Sequence, residues 1–247
     1  MIAFLTSNPG DTYVEDGVRK ARPCRYSSEN GFLERLTAVW PADARCLLIC
    51  AEPDNAEMND GMRENFLASF ALSGLSVSRL EVCDGRNPSR LPELLVESDV
   101  VILSGGHTLI QNRFFKRLGL KELIRNFDGV IFGISGGSMN SAEMVYTQPE
   151  WPGDTTDPDY ERFPEGLGLT PITILPHYQL LKDDTLDGLR LIEDIALPDS
   201  MGKTFYALPD GSYVLVQDGS YVLVQDGRSE VVGEAYVIHD GTITRMG

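Results

Sequence analysis

Through the first two thirds of the chain, short aliphatic and β-branched runs alternate with amphipathic stretches, the pattern of crossover units around a largely parallel sheet. From Cys46 to Ala51 no polar residue interrupts the run, so Arg45 to Ala51 predicts a buried strand. Ala56 to Ser73 predicts a helix, because Met58, Met62, Phe66, Phe70 and Leu72 recur near the helical period. Leu75 to Val82 is the next strand and Pro88 to Glu97 a short helix. Asp99 to Ser104 reads as a central strand ending on Gly105-Gly106, followed by a helix from Thr108 to Leu118. A further strand, Gly129 to Gly133, runs into Ile134-Ser135-Gly136-Gly137, with a helix expected from Ser138 to Val145. Ile172 to Leu175 extends the sheet.

Thr147 to Pro171 is rich in Pro, Gly and Asp and reads as a long surface excursion of the kind that often borders a site. A helix over Asp183 to Ala196 is expected to close the α/β part. Beyond Lys203 the period becomes that of strands, divided by Asp-Gly pairs at Asp210-Gly211, Asp218-Gly219, Asp226-Gly227 and Asp240-Gly241, which is hairpin chemistry. Within it, Gly211 to Gly219 is repeated letter for letter as Gly219 to Gly227. That period of eight is even, so either copy presents the same residues to the same face of a strand. The expected architecture is one α/β domain over residues 1–247, a three-layer α/β/α sandwich with a largely parallel central sheet and a C-terminal antiparallel β meander.

Composition sharpens this picture. With 247 residues, 42% of them hydrophobic, the chain can bury a core without disulfides or a structural metal. Lys and Arg total 21 against 37 Asp and Glu, and a net charge of −16 repels phosphate backbones and anionic lipid, so neither nucleic acid nor membrane is an expected partner. Cys46 and Cys50 share an apolar run with no second ligand pair at zinc spacing, so neither metal nor organic cofactor is implied. Met1 to Leu5 is too short an apolar stretch for a signal sequence and lacks a basic lead, making a reduced, cytoplasmic location the expectation.

The chemistry concentrates at three turns. Gly133-Ile134-Ser135-Gly136-Gly137 fits G-x-S-x-G, directly after an apolar strand and before a helix, where a serine hydroxyl projects from the sheet edge. The following amide, that of Gly136, points toward any oxyanion formed there. Ser104-Gly105-Gly106-His107-Thr108 ends the neighbouring strand in the same manner, so the amide of Gly105 or Gly106 is a candidate second donor and His107 and Thr108 are candidate pocket walls. Of three histidines, His177 follows a strand through Pro176 at the same edge and is the candidate base, whereas His239 precedes a hairpin turn. The carboxylate that would hold the imidazole tautomer is open among Glu143, Glu150, Asp154, Asp157 and Asp159.

These residues resemble the dipeptidase E and cyanophycinase group of serine peptidases, whose fold is similar to the class I glutamine amidotransferases. The likeness covers about Arg45 to His239 and rests on Ser104 to Thr108, which looks like the family's Gly-Gly-Asn-Thr, on the serine turn, and on Leu175-Pro176-His177-Tyr178, similar to its Pro-His-Phe. It implies hydrolysis of short peptides with Ser135 as nucleophile and His177 as base. It also implies Glu150 as the acid, since Glu150 stands fifteen residues past the serine, where the family carries that residue. The chain departs from the family at Gly136, where Ser-Ala-Gly is usual, and at His107, which replaces the Asn. An aspartyl preference therefore does not follow, unless Arg162, Lys182 or Arg190 reaches the pocket. Two other functions stand beside this one: an α/β-hydrolase-type esterase with His239 as base, and a non-catalytic ligand-binding module on the same scaffold.

Overall fold

The apolar run Ile2–Thr6 is strand β1 at the heart of the main sheet. The structure, a computed structural model, describes residues 1–15, 18–217 and 228–246. After β1 come a small hairpin, β2 (Thr12–Glu15) with β3 (Val18–Ala21), and helix α1 (Phe32–Val39). Then β4 (Ala44–Ile49), α2 (Ala56–Ser73), β5 (Val77–Cys83), α3 (Leu91–Val96), β6 (Val100–Leu103), α4 (Thr108–Leu118), α5 (Leu120–Ile124), β7 (Val130–Ile134) and α6 (Gly136–Asn140) follow in the expected alternation.

The carboxy-terminal third differs more. Strand β8 (Ile174–Pro176) leads through α7 (Tyr178–Leu181) to a short hairpin, β9 (Thr185–Leu186) with β10 (Leu189–Arg190). The helix expected over Asp183 to Ala196 thus begins only at Leu191, as a π-helical turn to Ala196 followed by α8 (Leu197–Asp199). Its first half is broken by Asp187 and Gly188, both at positive φ (53° and 82°), an Asp-Gly turn that closes the hairpin. The helix expected from Ser138 to Val145 likewise starts at Gly136 and stops at Asn140. Beyond it the backbone pairs with the returning loop: the Glu143 amide donates to the Thr170 carbonyl (2.8 Å) and the Leu169 amide to that of Ser141 (2.8 Å). That loop is therefore only partly a surface excursion, because Leu167, Leu169 and Thr170 are buried.

The last strands are β11 (Thr204–Leu208), β12 (Tyr213–Gln217), β13 (Arg228–Val232), β14 (Tyr236–His239) and β15 (Thr242–Arg245). They are antiparallel among themselves but divide between two sheets. The main sheet runs β13-β12-β1-β7-β6-β4-β5, parallel from β1 to β5 with β12 and β13 antiparallel at its edge. A second sheet runs β15-β14-β11-β8, with β11 parallel to β8. Asp210-Gly211 is consequently a crossing between sheets and not a hairpin turn. The first copy of the duplicated segment supplies β12; the second copy lies outside the described residues, as do the turns at 218–219 and 226–227.

Alternation within each central strand explains the layers. Ala3, Leu5, Leu47, Ile49, Val101, Leu103 and Ile131 face one side and pack with α3, α4 and α5 through Leu91, Leu94, Phe114, Phe115 and Ile124. Phe4, Cys46, Leu48, Val100, Ile102 and Phe132 face the other and pack with α1 and α2 through Phe32, Leu36, Phe66 and Phe70. Both faces are covered, which is why these strands read as unbroken apolar runs. Burial pushes the thiols of Cys46 and Cys83 up to about 12, so both are inert apolar filling. Among the described residues no helix is long and apolar enough to cross a membrane.

Candidate active site

Five strand ends meet at one edge: β1 delivers Ser7, β6 delivers Gly105 and Gly106, β7 delivers Ser135, β8 delivers His177 and β11 delivers Asp210. Ser135 stands between β7 and α6 at φ 50° and ψ −115°, a backbone conformation in which a non-glycine residue is strained. Register holds it there, because its amide donates to the Thr6 carbonyl of β1 (3.0 Å) and its carbonyl accepts from the Met139 amide (3.0 Å). The turn is tight enough to forbid side chains after the serine. A Cβ on Gly137 would lie 2.2 Å from the Leu103 carbonyl oxygen, and one on Gly136 would lie 2.6 Å from that of Gly106. The two glycine turns are thus packed against each other, and the Gly136 that departs from the usual Ala is required by the approach of Gly106.

His177 is also left-handed, at φ 60°, so that its ring turns back toward the serine. Its Nε2 lies 2.8 Å from Ser135 Oγ and its Nδ1 lies 2.7 Å from Asp210 Oδ1. Ser7 braces both partners: its hydroxyl donates to Asp210 Oδ1 (2.8 Å) and accepts from the His177 amide (2.8 Å). Gln179 Oε1 accepts from the Asp210 amide (3.0 Å), tying that loop to α7.

Glu150, expected as the partner of the imidazole, does not reach it. Its Oε1 accepts from the Thr108 amide (2.9 Å) at the start of α4, and both ring nitrogens of His177 face other groups. Although the residue exposes much of its surface, its carboxylate is bedded against protein; desolvation pushes its pKa up, opposed by His107 and by the bonds from Thr108. Of the other acids considered, Asp154 accepts from the amides of Glu150 (3.0 Å) and Trp151 (2.8 Å), and Asp157 accepts from the Asp159 amide (2.9 Å). His107 is buried, accepts from the Ile110 amide through Nδ1 (3.3 Å) as the cap of α4, and packs on Trp151 with ring centroids 4.1 Å apart. It lines neither cavity beside the serine, whereas Thr108 lines the smaller. His239 is on the second sheet, its Nδ1 2.9 Å from the Lys203 carbonyl oxygen and its Nε2 3.2 Å from Asp240 Oδ2, with no contact to Ser135. None of Arg162, Lys182 and Arg190 lines either cavity; Arg162 is 3.9 Å from Asp199 and Arg190 is paired with Asp194.

Asp210 and Ser7 are the two site residues that the motif reading misses. Asp210 resembles a hairpin signal, and Ser7 follows a strand that is itself unmarked. One signal was present: Leu175-Pro176-His177 and Leu208-Pro209-Asp210 end two strands in the same way, and those strands pair in parallel with Leu208 beside Pro176. Two cavities flank Ser135 and His177. One, of about 620 Å³, lies under α2 and includes Gly105 and Gly106. The other, of about 240 Å³, lies toward Glu150, Met139 and Leu181.

Comparison with known proteins agrees with this architecture. The sequence pattern of peptidase family S51 matches residues 51–224, well over half of the chain. The fold is similar to that in a 1.5 Å crystal structure of a protein assigned as a peptidase E from Listeria monocytogenes EGD-e, with a TM-score of 0.58 and 14% identity over 94% of this chain and 98% of that one. No curated protein gives a match.

Proposed function

Since the chain belongs to peptidase family S51, we propose that it hydrolyses peptide or amide bonds in short peptides through Ser135, His177 and Asp210, with Asp210 taking the part that the family likeness gave to Glu150. The observation that carries this reading is the unbroken chain of contacts from Ser135 Oγ to His177 Nε2 (2.8 Å) and from Nδ1 to Asp210 (2.7 Å). With the carboxylate at Nδ1, the neutral ring keeps its proton there and turns the Nε2 lone pair to the serine hydroxyl. Ser135 then attacks the carbonyl carbon while Nε2 takes its proton, and Asp210 stabilises the resulting imidazolium. Collapse of the tetrahedral intermediate expels the amine, which takes the proton back from Nε2, and water repeats the sequence to free the acid.

The negative oxygen would be met by the Gly136 amide and by that of Gly105 or Gly106, none of which donates to an acceptor among the described residues. One such donor is typically worth about 100- to 1000-fold in rate. The strained serine backbone keeps its hydroxyl and the Gly136 amide on the same side of the reacting carbon. The test is Ser135→Ala: hydrolysis of short peptides and labelling by a fluorophosphonate are both expected to vanish. Labelling that persists at another serine would remove Ser135 from the mechanism.

A further inference from the structure

The larger cavity beside Ser135 has a wall that the reaction chemistry does not use. Helix α2 carries an apolar stripe whose cover fails progressively toward its amino end: Phe70 is fully buried and Phe66 is 8% exposed, Met62 is half-buried, and Met58 is 39% exposed. The carboxyl half packs into the core, whereas Met58, Gly61 and Met62 of the amino half, with the edge of the buried Phe66 one turn on, line the cavity. Tyr26 and Ile134 complete an apolar surface that is continuous with Ser135 and His177. Apolar side chains left beside a cavity of about 620 Å³ are a cost that an apolar occupant relieves.

Charge points the same way. The two cations that line this cavity belong to the β2–β3 region, and each is already engaged: Arg22 Nε donates to Asp11 (2.7 Å) and Lys20 to Glu15 (2.5 Å). A carboxylate entering here would displace one of those partners while facing a molecule of net charge −16. Resting on the peptidase reading above, we infer that this cavity is the specificity pocket and that it selects a large apolar side chain, such as Phe, Leu or Met, next to the scissile bond.

Gly61 makes the pocket adjustable. A Cβ there meets no atom within 4 Å, so a larger side chain enters the cavity without disturbing the backbone of α2. The experiment measures kcat/KM for Xaa-Ala and Ala-Xaa dipeptides and Xaa p-nitroanilides, with Xaa being Phe, Leu, Met, Ala or Asp. At one of the two positions the apolar residues should exceed both Ala and Asp by at least about tenfold, and Gly61→Phe should cut the Phe-to-Ala ratio by about tenfold or more. A preference for Asp, or a ratio that Gly61→Phe leaves unchanged, overturns the inference.

A second readout needs no turnover. Cys24 is part-exposed and lines the cavity, while Cys46, Cys50 and Cys83 are buried, so maleimide alkylation of Cys24 reports occupancy. In the Ser135→Ala protein, N-acetylphenylalanine amide should slow alkylation of Cys24 severalfold and N-acetylaspartate amide should not. Equal protection by both, or protection by neither, overturns the inference. Hydrolysis that survives Ser135→Ala would instead unseat the peptidase mechanism and leave the pocket to the alkylation result.

Discussion

Both ring nitrogens of His177 are engaged, one by Ser135 and one by Asp210, and this decides which carboxylate can orient the ring. Replacing Asp210 by Asn offers Nδ1 an amide donor and favours the wrong tautomer, so kcat is expected to fall by about 10³- to 10⁴-fold. Glu150→Gln keeps an acceptor for the Thr108 amide and should stay within about tenfold of the parent. Steady-state kinetics on the two variants separates the candidates, and the reverse ranking would restore Glu150. At the serine turn, Gly136→Ala brings a methyl to 2.6 Å from the Gly106 carbonyl oxygen. The expected cost is about 1–3 kcal/mol, read from urea denaturation, with a loss of hydrolysis because the displaced turn would move the amide proposed above as an oxyanion donor. Ser135 and His177 were legible because each is marked by its own neighbours, a small-residue turn and a Pro-His step after an apolar strand. Asp210 was not, since an Asp-Gly pair carries the same letters whether it closes a hairpin or crosses between sheets.

At the level of elements, local chemistry bounds α2 clearly. Asn55 accepts from the Met58 amide through its side chain (3.1 Å) and Gly74 ends the helix at φ 75°. Asn55→Ala should cost about 1 kcal/mol, seen as a fall in Tm of about 2–4 °C. Where the elements differ from expectation, the reason is a competing local or tertiary preference. Asp187-Gly188 satisfies a turn better than a helix and splits the expected Asp183 to Ala196 segment. The residues after Asn140 give up helical bonds for pairing with residues 164–170, partners 19 to 28 positions away that no window of sequence reveals. The carboxy-terminal strands are antiparallel as expected, but they divide between two sheets, because hairpin signals specify neighbours in sequence and not the sheet that a strand joins.

For the molecule as a whole, one ionic cluster binds the helix that walls the larger cavity to the sheet. Arg86 joins Asp84, at the end of β5, to Asp60 of α2, with distances of 2.7 Å to each. Burial works to raise the Asp84 pKa, but the Arg86 side chain and amide and the Asn59 side chain outweigh it and hold the carboxyl below its ordinary 3.8. A depressed carboxyl contributes stability that is complete above the unfolded-state pKa and disappears as pH falls through the folded one. Between about pH 5 and pH 2, therefore, the parent should lose more stability than Asp84→Asn, as measured by urea midpoints across that range. Parallel loss in both proteins would place the acid sensitivity elsewhere. By itself the sequence determined the layered α/β class, the serine turn and the histidine, because each rests on periodicity or on a turn chemistry carried by a few adjacent residues. The carboxylate beside His177, the Ser7 brace and the partly uncovered face of α2 were decided by tertiary structure alone. Each depends on which strand ends and helix faces are brought together across the fold, and hydrogen bonding and burial act on distance in space, not on separation along the chain.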